Sequence, residues 1–257
     1  MKRLFPILIS MALVFSVFNI GDAKAAKHAG ATLTQRGGAA VRFVRRQIVE
    51  ANRKLRYTIK ARYPQAVGGD ARLVKLNQEI KRLTLKGIAD FKKDFAAPEE
   101  RMGTTGSSYE SEYAIELATN DLVSITFYEN TFYEGAAHGN HGSLTFNYDL
   151  NSGRELKLAD LFKPNSNYLK AISDYAIKSL KKELGPESDS EWIETGAGAK
   201  QENYKSWAIT RRGLKVTFDP YQVASYAEGP HEVVVPFSVL KNVIDSDSPL
   251  TRITGRK

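Results

Sequence analysis

Cysteine is absent from all 257 residues. Its absence removes disulfides, thiolate metal sites and cysteine nucleophiles. It also removes the lipid anchor of bacterial lipoproteins, which needs a cysteine at the cleavage site. Beyond about residue 20 no apolar run reaches the roughly 17–25 residues of a spanning helix. A nucleophile elbow, a phosphate loop and an HExxH helix are all missing, and Ser108, Ser143 and Ser225 stand in no catalytic context. No nucleic-acid-binding module is recognisable, so nucleic acid is not expected as a partner. The residues call for no cofactor and no metal, and the chain is expected not to be an enzyme.

What is present begins with an export signal over residues 1–25. Lys2 and Arg3 precede the apolar LFPILISMALVFSVFNI, and Ala23-Lys24-Ala25 supplies a small-x-small cleavage site. The mature chain is expected to start near Ala26, without a membrane span, in the periplasm or outside the cell. Residues 26–40 are small, polar and glycine-rich and read as a disordered leader.

The formal charge of +8 is unevenly spread. Residues 26–101 carry eighteen Lys/Arg against seven acids, net +11, whereas residues 102–257 carry sixteen against twenty-one, net −5. Such asymmetry steers partners by sign, or it is the ordinary charge of two solvated surfaces.

Hydrophobic periodicity predicts an α+β fold of antiparallel sheets with two main amphipathic helices packed on them, and the length allows one large domain or two small ones. VRFVRRQIVEA, residues 41–51, fits either strand or helix and is expected as a strand. In KLRYTIKARYP, Leu55, Tyr57, Ile59, Ala61 and Tyr63 alternate with Lys54, Arg56, Thr58, Lys60 and Arg62, a strand with a basic outer side that Pro64 should stop. Asp70 should cap a helix whose apolar stripe runs from Leu73 through Ile80 and Ile88 to Phe95, with Lys75, Arg82, Lys86 and Lys93 on its polar arc. SEYAIEL and LVSITFYE form a hairpin across 119–121. A second helix carries Tyr168, Leu169, Ile172, Tyr175, Ala176, Leu180 and Leu184 on one side. GPESDSEWIETGAGAKQ reads as loop, and SWAIT, LKVTF and HEVVVPF as strands.

The richest stretch for function is YEGAAHGNH, Tyr133 to His141. Glycines at 135 and 139 allow positive φ or a close backbone approach, which suits a rigid loop that presents side chains. Tyr133, Glu134, His138, Asn140 and His141 are candidate ligand-binding residues. The loop DPYQVASYAEGP adds Asp219, Tyr221, Tyr226 and Glu228, because tyrosine rings cover area at small entropic cost. Alternatively, Tyr221 packs inward as a corner residue. A metal at His138 and His141 would need Glu134, Asp149 or His231 to converge on it. Hydrolysis would need a carboxylate pair drawn from Glu134, Asp149, Asp219 and Glu228.

YPQAVGG with the helix containing LNQEIKRL resembles the first of two extracytoplasmic domains found together in bacteria. YEGAAHGN, NYDLNSGRELKLADLF, GLKVTFDPYQVASYAEGP and EVVVPFSVL resemble the second, in order and over about residues 42–245. The pair is that of the PdaC/RsiV-like family, found beside the catalytic domain of a peptidoglycan deacetylase and in lysozyme-sensing anti-sigma factors, and it implies two small modules, 41–132 and 133–250. Gly135-Ala136 stands where the family motif has Gly-Gly. The resemblance covers neither the deacetylase's metal-dependent catalytic domain nor the anti-sigma factors' membrane span, so it implies an envelope binding protein. The implied ligand is a lysozyme-like host-defence or envelope protein, or a cell-wall glycan. The competing expectations are a peptidoglycan- or polysaccharide-binding module and a metal-dependent carbohydrate hydrolase or deacetylase.

Overall fold

The computed structural model describes residues 40–93 and 106–254. The export signal, the leader up to residue 39 and Phe95 lie outside the described residues.

The α+β class holds, with one correction to the pairing. A six-stranded sheet runs in chain order through β1 (Arg42–Asn52), β2 (Tyr57–Val67), β3 (Ser107–Ala118), β4 (Leu122–Phe132), β5 (Asn140–Asp149) and β6 (Arg154–Glu155). The β2–β3 pair is parallel, over Tyr57–Ala61 and Ser107–Ser111, and the others are antiparallel. The cause is the helix α1 (Arg72–Lys93) between the two strands: a crossover long enough to hold a helix returns the chain in the same direction.

Pro64 does not stop β2, which continues to Val67. Beyond Ala61 the strand pairs only with β1, and proline is tolerated where one side of a strand lacks a ladder partner. The alternation holds: Tyr57, Ile59 and Ala61 are buried, while Thr58 and Lys60 face out and Arg62 is half-buried. Lys54 and Arg56 belong to the turn before the strand, and Leu55 is exposed there.

Asp70 starts α1 as expected, accepting the Arg72 amide at 2.9 Å. Leu73, Leu76, Ile80 and Leu83 pack against Val123, Ile125, Phe127 and Phe146, while Ile88 and Phe91 close over Tyr57, Ile59 and Tyr109. Fully burying one such aliphatic side chain stabilises by about 1.5–3 kcal/mol, so this stripe needs no cofactor to explain it. Lys75, Arg82, Lys86 and Lys93 are exposed on the opposite face.

A three-stranded antiparallel sheet follows, β7 (Trp207–Ile209), β8 (Gly213–Phe218) and β9 (His231–Pro236). Ile172, Ala176 and Leu180 of α2 (Tyr168–Leu184) pack with Val216, Val233 and Val235 of this sheet. The segment expected as loop after α2 contains α3 (Ser190–Gly196), because the Asp189 side chain accepts the amides of Glu191 and Trp192, an N-cap that ends the orphaned state of two donors.

The two sheets meet through polar side chains. Asn147 of β5 donates from Nδ2 to Trp207 O at 2.8 Å, and Ser124 Oγ accepts the Ile209 amide at 2.9 Å. Thr145 Oγ1 accepts the Trp207 amide at 3.1 Å. Edge strand β7 is thereby satisfied by the face of the larger sheet. Beside this contact, the buried Lys215 ammonium lies 2.5 Å from Glu116 and 3.0 Å from Glu232.

Candidate functional site

The loops at 133–141 and 219–230 come together around Tyr226. Its ring stacks on His138 with centroids 4.0 Å apart, and lies 5.9 Å from His141 and 5.5 Å from Tyr221. The Tyr226 hydroxyl donates to Gly139 O at 2.8 Å, which ties the second loop to the first. Nδ1 of His138 lies 2.9 Å from the same carbonyl. A carbonyl only accepts, so Nδ1 carries a proton, and in the neutral ring Nε2 is an acceptor at the surface.

The glycines have distinct roles here. Gly135 adopts φ +90°, and a Cβ on Gly139 would stand 2.8 Å from Asn130 Oδ1. Tyr221 also has positive φ, 69°, and its carbonyl accepts from Trp192 Nε1 at 3.0 Å. That indole holds a tyrosine in a left-handed backbone conformation that costs energy outside glycine. The inward corner arrangement is not adopted: Tyr221 remains 55% exposed. Trp192 was not legible as part of the site, and its only signal was the capping Asp189 three residues earlier.

Burial lowers the His141 pKa, and the neighbouring His138 lowers it further, which favours the neutral ring. Asp219 sits behind the rings in sequence and accepts from Ser143 Oγ at 2.7 Å. Burial raises its pKa, and the Ser143 hydrogen bond opposes that in part. Glu228 is exposed and accepts from Ser225 Oγ at 3.2 Å. Asn140 is exposed at the start of β5, opposite Thr131.

Tyr133 and Glu134 are directed elsewhere. Tyr133 stacks on Phe91 of α1 at 5.7 Å. Glu134 turns toward Arg56, whose Nη2 lies 2.5 Å from Oε1, and its amide donates to Ser107 Oγ. The residues weighed for metal or hydrolysis are likewise dispersed. Asp149 is bonded by Arg252 at 2.6 Å, and His231 Nδ1 lies 3.1 Å from Glu183. Among the described residues no group of three His, Asp or Glu side chains is placed to hold a metal ion. Among the described residues no helix is long and apolar enough to cross a membrane.

The cluster can therefore offer a surface of four stacked or tilted rings, imidazole nitrogens and one carboxylate. Comparison with known proteins agrees with the sequence motifs. Residues 50–141 match the family described as deacetylase PdaC, and residues 159–238 the protein family of unknown function DUF3298. The peptidoglycan-N-acetylmuramic acid deacetylase PdaC of Bacillus subtilis is 30% identical over 170 residues, 66% of this chain and 36% of the deacetylase. The immunogenic protein MPT64 of Mycobacterium tuberculosis is 25% identical over 148 residues, 58% of this chain and 61% of that protein. The chain thus spans about a third of the deacetylase's length. Two solved DUF3298-family structures share the fold. One from Pseudomonas aeruginosa has a TM-score of 0.61 at 16% identity, covering 80% of this chain and 95% of that one. One from Bacteroides fragilis has a TM-score of 0.57 at 19% identity, covering 86% and 99%. The chain therefore carries a segment that matches the deacetylase PdaC family, followed by one that matches DUF3298.

Proposed function

We propose that this chain is an exported cell-envelope binding protein that makes no catalytic contribution of its own, and that a cell-wall glycan occupies the ring cluster. The observation that carries the reading is the exposed Tyr221 beside Tyr226, with Tyr226 stacked on His138. Flat rings bury the apolar face of a sugar, while His138 Nε2 and Glu228 accept from its hydroxyls. The Tyr226 ring is tied by its hydroxyl to Gly139 and the Tyr221 backbone is held by Trp192, so the pair loses less freedom on binding, which favours affinity. Peptidoglycan is the polymer in the name of the Bacillus relative, and it is the glycan we propose.

Sedimentation with purified peptidoglycan tests this. The protein should pellet with the polymer, and Tyr221→Ala with Tyr226→Ala should return it to the supernatant. A wild-type protein that stays in the supernatant at low salt sinks the glycan reading. Turnover of chitooligosaccharides by the purified protein would overturn its non-catalytic part.

A lysozyme-like protein ligand is the second reading. It is supported by the net −5 of residues 102–257, which favours encounter with a cation. Of the two loop carboxylates, Glu228 is the one presented to solvent, while Asp219 is engaged by Ser143. Retention of cationic lysozyme on the immobilised protein, abolished by Glu228→Gln, would favour it over the glycan.

A further inference from the structure

A second concavity opens at the end of the β1–β2 hairpin, remote in sequence from Tyr221 and Tyr226. It is lined by Asn52, Arg53, Arg56, Thr58, Ser107 and Ser108, with Tyr57 and Phe132 among its walls, and encloses about 390 Å³. The polar side chains of this lining are cations, an amide and hydroxyls, and none is a carboxylate.

The donors are held in different ways. Arg56 has φ 55°, an unusual value for a non-glycine residue, and its carbonyl accepts the Ser107 amide at 2.8 Å, which pins the turn to the start of β3. Its guanidinium is oriented by Glu134, whose side chain is only 1% exposed, through Nη2. The remaining guanidinium donors of Arg56 are not consumed by that contact. Ser107 Oγ accepts the Glu134 amide, so its own proton is free to donate. Asn52 Oδ1 accepts the Leu55 amide, which leaves its Nδ2 as a donor. Arg53 is exposed and enters no ion pair among the described residues.

Glu134 offsets the charge of Arg56, and Arg53 supplies the uncompensated cation. A neutral ligand would leave the Arg53 charge uncompensated. An oxyanion would satisfy several of the donors at once, and charge-assisted hydrogen bonds are roughly twice as strong as neutral ones. We infer that this pocket is a binding site for the carboxylate or phosphate group of an anionic saccharide, with Arg53 and Arg56 as its cationic ligands. That the anion is carried on a saccharide rests on the glycan reading above, but the site uses none of the ring-cluster residues, so the two fail separately.

The test is amide chemical-shift titration of the full chain, following residues 106–108. The probes are glucuronic acid, glucose 6-phosphate, inorganic phosphate and neutral glucose. Glucuronic acid or glucose 6-phosphate should shift these amides saturably, and whichever binds tighter identifies carboxylate or phosphate as the source. Glucose should leave them in place. Arg53→Gln, an exposed change that leaves the fold intact, should weaken the better probe about tenfold, equivalent to about 1.4 kcal/mol. Ser108→Ala should weaken it less. Saturation by inorganic phosphate as tight as that by either sugar would reduce the site to an adventitious ion only. Equal shifts with glucose, or unchanged affinity in Arg53→Gln, would also overturn the inference. Loss of peptidoglycan sedimentation in Tyr221→Ala leaves this titration unaffected, which separates the two proposals.

Discussion

Asn147 holds Trp207 across the junction of the two sheets: its Nδ2 donates to the Trp207 carbonyl at 2.8 Å, and its Oδ1 accepts from Ser124 Oγ at 2.6 Å and from the Ile209 amide at 3.2 Å. Both residues are buried, so one amide side chain satisfies edge-strand groups that water cannot reach.

Removing that amide should therefore cost more than an average hydrogen bond. Asn147→Ala strands the Trp207 carbonyl and removes the acceptor of the Ser124 hydroxyl proton. We expect a loss of about 2–3 kcal/mol in urea unfolding, reflecting unsatisfied buried groups. A loss below about 0.5 kcal/mol would mean that water enters and replaces the amide.

Lys215 gives a contrast between breaking a buried charge network and replacing it. Burial alone would push its pKa down, but Glu116, Tyr128 and Glu232 outweigh burial and raise it. Burial pushes the adjoining Tyr128 hydroxyl up to about 12. Lys215→Met should destabilise by about 3 kcal/mol, because Glu116 keeps its charge without a partner. Adding Glu116→Gln should recover part of that loss. Additive losses in the double variant, read from unfolding midpoints, would show that the network is not electrostatically coupled.

Asp149 predicts how stability responds to acid. Burial raises its pKa, but Arg252, Ser152 and the Asn151 amide more than reverse this and leave the net value lowered. A carboxyl lowered in the fold stabilises the fold above its unfolded value of about 3.9, and that contribution fades as pH falls through the lowered native value. Arg252→Ala should flatten the fall in thermal midpoint between about pH 5 and pH 2. An unchanged pH profile would place the acid sensitivity elsewhere.

Tyr226→Phe tests whether the two loops are one unit. The substitution keeps the ring on His138 but deletes the hydroxyl bond to Gly139 O. Amides at 138–141 should exchange with deuterium several-fold faster, in line with the loss of about 1 kcal/mol of local protection. Exchange unchanged at these amides would show that stacking alone holds the loop.

Much of the fold follows from local pattern. The alternation of Tyr57, Ile59 and Ala61 and the stripe from Leu73 to Phe91 each have one period that buries their apolar atoms, so strand and helix were legible. Direction was not, since the parallel β2–β3 pair depends on where a crossover returns. Nor was the second role of β4. Val123, Ile125 and Phe127 announce a core face, while Ser124, Thr126 and Tyr128 look like a solvated one; the smaller sheet covers it and turns these polar groups into a junction.

For the site, the sequence by itself determined which residues have the chemistry: tyrosines in a loop at 221 and 226, histidines at 138 and 141, and glycines that let the backbone turn or close up. Only the tertiary structure decided which of them meet. Tyr226 reaches Gly139 across 87 residues of chain, and Tyr221 is held outward by the indole of Trp192, 29 residues away. Glu134, four residues before His138, turns to Arg56 instead, 78 residues back. Pattern within a segment reports which atoms must leave water. Contacts of this range depend on how separately satisfied segments pack, and a buried carboxylate turns to a cation that packing brings within reach.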